Sequence, residues 1–336
     1  MGKMNNIVNY YFKDNRRFAD LFNAAFFQGR RVVDWKDLSE SSETYQEAVG
    51  ENVRSNTRGK RTERIRDICK TLKSGEVLRI LALENQEVVD YSLPFRCMQY
   101  DCMEYGKQLN IIRKRNRQEN CLHTPAEKLY QLRQSDRLVP VYTLCLYHGA
   151  EKWDGPRSLR DMMDFGVKEG GFIKNFSDYP MHLYCVNETN DLEKFHTEVG
   201  LFFRAMNYRQ DRAGLKVLMQ QEPAYSQLDA DTLEAISVVL EMPSIWENRE
   251  KYMNSNRDKK EEYNMCQAVR EWAEEERGIG REEGIIAGRI ERTLTVVKNM
   301  LKRGMSDDDI LAIAECSQEF LDQAKNPESV FPLPKN

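Results

Sequence analysis

The apolar positions of the chain fall first into a helical rhythm and then into short dense runs. From Phe12 to Phe27 they recur at 12, 18, 21, 22, 25 and 26, a spacing that predicts an amphipathic helix stopped by Gly29. Residues 39 to 62 are polar and predict an exposed connection. A hairpin follows: Thr62 to Lys70 alternates around Ile65 and Ile68, Lys73-Ser74-Gly75-Glu76 is turn-like, and Val77 to Leu83 is a dense apolar strand. Residues 93 to 117 carry Leu93, Cys97, Tyr100 and Leu109 at helical spacing. Val139 to Tyr147 is β-branched and aromatic, a buried strand ending in the turn His148-Gly149, and Met181 to Val186 is another strand.

Beyond Asp191 the pattern is helical, with Leu192, Phe195, Val199 and Phe202 on one face and Leu233, Ile236 and Leu240 on another. This change of pattern sets a boundary near residue 190, leaving a helical region over 191–275 and a tail over 276–330. Within the tail, Gly280, Gly284 and Gly288 recur every fourth residue of a charged helical stretch. Glycine costs a helix about 1 kcal/mol against alanine, so the stripe suggests close helix approach, dimerisation or a DNA contact, with fraying as the alternative. Two short helices, Leu294 to Lys302 and Ser306 to Ile313, follow, broken at Gly304 and with Ser306 as N-cap.

At 336 residues, 40% hydrophobic and 31% charged, the chain has the composition of a folded protein of about two domains. Val139 to Tyr147, the longest apolar run, falls well short of the ~20 residues of a spanning helix, and the start of the chain turns polar too early for a signal peptide. Eight scattered cysteines without a CxxC fit a reduced, cytoplasmic setting. Cys97, Cys102, Cys121 and His123 make a poor zinc site, because five residues of helix separate the first two onto different faces. The net charge of −4 hides an uneven distribution. Arg54, Arg58, Lys60, Arg61, Arg64, Arg66, Lys70 and Lys73 form one basic cluster, and Lys107, Arg113, Lys114, Arg115 and Arg117 a second, either a phosphate-attracting face or solvated surface.

The chemistry concentrates in RDICKTLKSGEVLRILALENQ, residues 66 to 86. A two-residue turn at Ser74-Gly75 makes Asp67 and Glu84 diagonal neighbours on one sheet face. Moving the register by two sets them directly opposite, and moving it by one separates them. Paired carboxylates repel unless a cation lies between them, and Mg²⁺ takes one or two carboxylates with waters and phosphate oxygens. Solvated acids paired with Arg64, Arg66 or Lys70 are the plainer alternative.

Asp67, with Glu84-Asn85-Gln86 at the end of an apolar strand, resembles the signature of the PD-(D/E)XK nuclease superfamily. More closely, the chain resembles the recombination-promoting nuclease/putative transposase family, through RFADLFNAAFF at 17–27, Leu93-Pro94-Phe95-Arg96 with Tyr100, VPVYTLCLYHGAEKW at 139–153 and the glycine-spaced tail. The resemblance implies an α/β fold with a restriction-endonuclease-like mixed sheet flanked by helices over 1–190, followed by a mainly helical C-terminal region. It implies a DNA endonuclease dependent on Mg²⁺ or Mn²⁺, working as a homodimer. Asp67 and Glu84 would hold the metal, with the Asn85 carbonyl as a third ligand and Asp20 acting through a water. Gln86 replaces the superfamily lysine and can orient water only by hydrogen bonding. Arg96, Tyr100, Lys70 and Lys73 would face DNA. His148 is a candidate general base, although a histidine between a buried strand and a glycine more often has a local structural partner. The neutral Gln86 keeps open a nuclease-fold protein that binds DNA or a partner without cutting, and the family label a transposase.

Overall fold

The computed structural model describes residues 3–41, 44–46, 63–166, 170–189, 192–254 and 261–326. Two compact units are present, Met1–Met265 and Cys266–Asn336. The change from mixed to helical chain near residue 190 falls inside the first unit. That unit opens with helices α1 (Lys3–Lys13) and α2 (Asn15–Phe27), followed by strand β1 (Leu38–Glu40). Strands β2 (Thr44–Gln46) and β3 (Glu63–Ile65) pair as a separate small sheet. Then come β4 (Ile68–Ser74), β5 (Val77–Gln86), α3 (Leu93–Gln118), α4 (Pro125–Tyr130), β6 (Val141–Tyr147), α5 (Gly170–Asn175) and β7 (His182–Cys185). Helices α6 (Val199–Met206), α7 (Arg212–Gln221), α8 (Ala230–Val239) and α9 (Pro243–Glu247) complete the unit.

The main sheet is mixed, in the order β1-β4-β5-β6-β7. Strand β4 runs antiparallel to both its neighbours, while β5, β6 and β7 are parallel. The α/β class, the mixed sheet and the helical C-terminal region therefore stand as expected. The expected single strand over Thr62 to Lys70 is instead two, β3 and β4, with the chain bending at Arg66 and Asp67 as it passes from the small sheet to the large one. The hairpin turn is Gly75-Glu76 rather than Ser74-Gly75, for Ser74 pairs with Val77. Gly75 takes a φ of +62° at the first central position, which glycine adopts without steric cost in such a turn.

Helix α3 covers one face of the sheet, where its Leu93 and Cys97 pack with Cys145, Tyr147, Trp153 and Cys185. Helix α1 packs on β4 and β5 over the other face. It precedes the expected opening helix, which is α2; Asp14 separates the two and caps α2 through the backbone N–H groups of Arg16 and Arg17. The later helices join this layer through buried polar contacts. Arg17 donates to Asp229 at 2.6 Å and Asp231 at 2.9 Å, and the hydroxyls of Tyr11 and Thr232 lie 3.1 Å apart. Gly29 ends α2 as expected, at φ +82°, where a Cβ would lie 2.8 Å from the Lys194 carbonyl oxygen.

In the second unit, α10 (Met265–Lys302) runs unbroken where a glycine-rich tail and a separate helix were expected. A Cβ added at Gly280, Gly284 or Gly288 would meet nothing within 4 Å, so among the described residues of the chain no other helix approaches the stripe closely. Helices α11 (Asp307–Ala314) and α12 (Gln318–Lys325) fold back to enclose Val297, Ile310, Leu321 and Ala324, and Ser306 caps α11. Among the described residues, no helix is long and apolar enough to cross a membrane.

Under α3 lies a buried polar network. Arg66 donates from Nη2 to Asp101 Oδ1 at 2.5 Å and from Nη1 to Thr143 Oγ1 at 2.9 Å. Thr143 Oγ1 donates to the same Asp101 oxygen, and the Tyr179 hydroxyl donates to Oδ2 at 2.5 Å. Removing one member of such a pair strands the other charge away from water. Urea unfolding of Arg66→Met is expected to show a loss of about 3–5 kcal/mol, with much of it recovered when Asp101→Leu is added.

Candidate functional site

The hairpin register brings the two acids together. Ile68 pairs with Leu83, so Asp67, one residue before β4, falls across from Glu84 in continuation of the ladder. This is the directly opposed arrangement, two residues away from the diagonal one. Asp67 sits where β4 begins, and both its oxygens are held: Oδ2 accepts the Asn85 backbone N–H at 2.8 Å and Oδ1 accepts Asn9 Nδ2 at 3.1 Å. The Asn85 side-chain amide donates in turn to Asn9 Oδ1. A residue of α1 thus ties Asp67 to the end of β5.

Glu84 is only 2% exposed. It lies beside Cys145 in the parallel register with β6, on the face that α3 covers. Its Oε1 has no hydrogen-bond partner, and Arg96 Nη2 stands 3.8 Å from Oε2. Burial, reinforced by the charge of Asp67, pushes the Glu84 carboxyl up to about 8 against the opposing pull of Arg66 and Arg96. Asp67 is also raised by burial, its hydrogen bonds from Asn85 and Asn9 opposing the rise. Near neutral pH the pair therefore holds a proton. With the proton the site offers a carboxylic acid; without it, two hard oxygen donors.

The other sequence candidates divide. Arg96 is at the site, with Nη1 donating to Asp90 at 2.7 Å and its side chain 30% exposed. Gln86 shares the sheet face of Glu84 two residues on, and its backbone oxygen accepts the His148 N–H at 3.0 Å. Tyr100 is buried, its ring 5.3 Å from the Arg66 guanidinium, so it lies against the Asp101 network rather than open to DNA. Asp20 is not brought to the pair. Its carboxylate accepts the backbone N–H groups of His196 and Thr197 and the Thr197 hydroxyl, which fixes the chain entering α6.

Lys70 is buried and donates to the Lys13 carbonyl at 2.5 Å, Asn15 Oδ1 at 2.6 Å and Glu40 at 2.9 Å, so its ammonium is enclosed and the expected DNA contact fails. Lys73 is exposed near the hairpin tip, roughly 20 Å of strand from Asp67 at ~3.4 Å per residue. Arg54, Arg58, Lys60 and Arg61 lie outside the described residues.

His148 is 0% exposed, and neither ring nitrogen has a partner. Burial, then the neighbouring Arg209 charge, lowers it to about 4, so the imidazole is neutral. Tyr147 lies across from Gln86, and strand alternation then turns His148 to the sheet face opposite Glu84. The geometry gives it no general-base role toward that carboxyl. Asn9 is the residue missed at the sequence level; its signal is a polar side chain one helical turn from Asn5, on a helix that also buries Val8, Tyr11 and Phe12.

Among the described residues, no group of three or more His, Cys, Asp or Glu side chains converges as a metal site. Of the four residues weighed for zinc, Cys97 lies 3.4 Å from Cys145 sulfur to sulfur and Cys102 is exposed. What Asp67 and Glu84 offer is a smaller set, two carboxylates with one unpartnered oxygen, which suits a hard divalent cation that keeps its own waters. Comparison of the chain with family models, curated proteins and solved structures gives no match.

Glu84 has a measurable signature in stability. Its ordinary value is 4.5 and its folded value about 8, so between these limits the folded chain keeps a proton that the unfolded chain releases. Stability falls as pH rises through this window. Glu84→Gln removes the effect. It is expected to gain about 3 kcal/mol near pH 7, at about 1.4 kcal/mol per displaced unit, and to flatten the pH dependence of urea midpoints between about pH 5 and about pH 8.

Proposed function

We propose that the chain is a divalent-cation-dependent DNA endonuclease of the PD-(D/E)XK type, with one centre per chain at Asp67 and Glu84. The observation that carries this reading is Glu84: a buried carboxyl with an unpartnered oxygen, set across a hairpin from a second acid. The plainer alternative, solvated acids at a sheet rim, does not suit a carboxyl at this depth. A mixed sheet in which only β4 runs against the others, with helices on both faces, supports the restriction-endonuclease-like reading.

In this reading Asp67, Glu84 and the Asn85 carbonyl hold Mg²⁺ or Mn²⁺, which would supply Lewis-acid stabilisation of charge at the scissile phosphate. The chain's own groups do the positioning. Asn9 and the Asn85 N–H hold Asp67 in place from outside the donor set. Glu84 would hold the cation as a carboxylate, its proton given up to solvent. Arg96, tethered by Asp90 at the mouth, presents a guanidinium to a phosphate oxygen. Gln86 orients water through its amide and carries no charge into the reaction. Hydrolysis then forms a bond from water oxygen to phosphorus as the bond to the 3′ oxygen breaks. A double-strand break needs two such centres, hence a homodimer.

Nicking of supercoiled plasmid with Mg²⁺ or Mn²⁺ tests the reading. Asp67→Ala and Glu84→Ala are expected to abolish nicking, and Asn9→Ala to slow it about 10–100-fold, the usual effect of losing a residue behind a metal ligand. Equal nicking by all variants would trace the activity to a contaminant and refute the assignment. DNA retention without cleavage by the native chain would favour the binding-only reading that Gln86 motivates.

Cation binding itself is expected to depend on pH, because Glu84 must lose a proton. Calorimetric titration with Mn²⁺ is expected to show affinity rising about ten-fold per pH unit below about pH 8 and levelling above it. A flat profile would remove Glu84 from the donor set.

A further inference from the structure

The loop joining β5 to α3 is unusual for what it leaves uncovered. Val88 is 72% exposed, Tyr91 61% and Phe95, on the first turn of α3, 42%. Large apolar side chains gathered on one short segment mark a surface that meets something. This segment is also anchored to the proposed centre. Asp90, the residue before Tyr91, accepts Arg96 Nη1 at 2.7 Å, and the other guanidinium nitrogen of Arg96 stands 3.8 Å from Glu84. Asp90 Oδ1 also accepts the Ser92 backbone N–H at 2.8 Å and its hydroxyl at 2.7 Å. The loop is thus pinned on both sides of Tyr91.

The Tyr91 ring is held as well. Its hydroxyl donates to the Asp154 carboxylate, 3.2 Å from both oxygens, while the ring remains largely open. It forms one wall of a cavity of about 620 Å³, with Pro156 and Met162 as further apolar surface and Arg157, Asp154 and Asp161 as polar rim. Behind it, Val89 packs so closely on Gly155 that a Cβ there would lie 2.8 Å from a Val89 methyl. The loop is therefore packed directly on the cavity wall.

An open aromatic ring beside the proposed centre has a natural ligand in a nucleobase, since every base has a π-face to stack. The rim argues against a phosphate in this cavity, because Asp154 and Asp161 would repel it and Arg157 is paired with Glu188 at 3.1 Å, whereas carboxylates accept hydrogen bonds from base amino groups. Inside an intact duplex both faces of a base are already stacked. Only an unpaired or extruded base can lie on Tyr91.

We propose that Tyr91 is the stacking platform for an unpaired base next to the cleaved linkage, so that the substrate is single-stranded or locally unpaired DNA rather than intact duplex. The inference rests on the nuclease reading above and narrows its substrate class. Fluorescence anisotropy of a labelled oligonucleotide, single-stranded and as its duplex, tests it with Ca²⁺ replacing Mg²⁺. The native chain is expected to prefer the single strand. Tyr91→Ala is expected to weaken single-strand binding about ten-fold, and Tyr91→Phe, which keeps the ring, to stay within about two-fold of native. Equal affinity for both forms, or an unchanged preference in Tyr91→Ala, overturns the platform; if Asp67-dependent plasmid nicking persists, the nuclease reading survives it. Binding of neither form, together with no nicking, overturns both.

Discussion

The burial of Glu84 across from Asp67 is the constraint around which the rest of the first unit is arranged. An ionised carboxylate placed that deep would carry a desolvation penalty of several kcal/mol, and the fold answers with three devices. The carboxyl keeps its proton near neutral pH. Two guanidinium groups approach it, Arg66 from the bend before β4 and Arg96 from α3. The neighbouring acid has donors of its own, Asn9 and the Asn85 backbone. None of these devices gives Glu84 Oε1 a partner. A buried acceptor without a donor costs about 1–3 kcal/mol, a strain more at home in a working site than in a core that evolution was free to fill with leucine.

The fold makes that position available by changing sheets. The chain leaves the β2–β3 pair, bends at Arg66 and Asp67, and enters the main sheet at Ile68. The bend places consecutive residues in different settings: Arg66 reaches under α3 to Asp101 and Thr143, while Asp67 stays at the strand end with Asn85. Helix α3 then connects the two chemistries. Its Arg96 serves the carboxylate end and its Asp101 serves Arg66. Displacing α3 would therefore disturb both charge systems at once, which couples the stability of the sheet to the geometry of the pair.

Much of this was legible in the chain because sheet parity is strict. Glu84 and the two residues after it close an apolar strand, and any even shift of register keeps Asp67 on the same face. Turn chemistry alone was too permissive to choose between Ser74-Gly75 and Gly75-Glu76, both of which contain the glycine. The misplaced residues share a cause. Asp20 and Lys70 have the right chemical types, but their partners, His196 and Thr197 in one case and Lys13, Asn15 and Glu40 in the other, come from segments whose proximity only the tertiary fold determines. Asn9 was hidden because the periodic reading began at Phe12, in the last turn of the helix that carries it. The glycines of α10 show the converse: their spacing suggested a close neighbour, yet the chain itself provides none.

The neutral Gln86 takes on a different meaning in this setting. A lysine at that position would add a third cation beside Arg66 and Arg96 and pull the Glu84 carboxyl down toward its ordinary value. With glutamine the carboxyl stays high, and the proton it carries becomes a competitor for any cation that enters. Positive charge reaches the site from α3 instead, on an arginine whose guanidinium stays charged at any physiological pH and is oriented by Asp90. Because Asp90 also bonds the loop that carries Tyr91, the Arg96 guanidinium and the exposed Tyr91 ring share one anchor. With a neutral glutamine at residue 86, the positive charge beside Glu84 comes from Arg66 at the bend before β4 and from Arg96 on the first turn of α3.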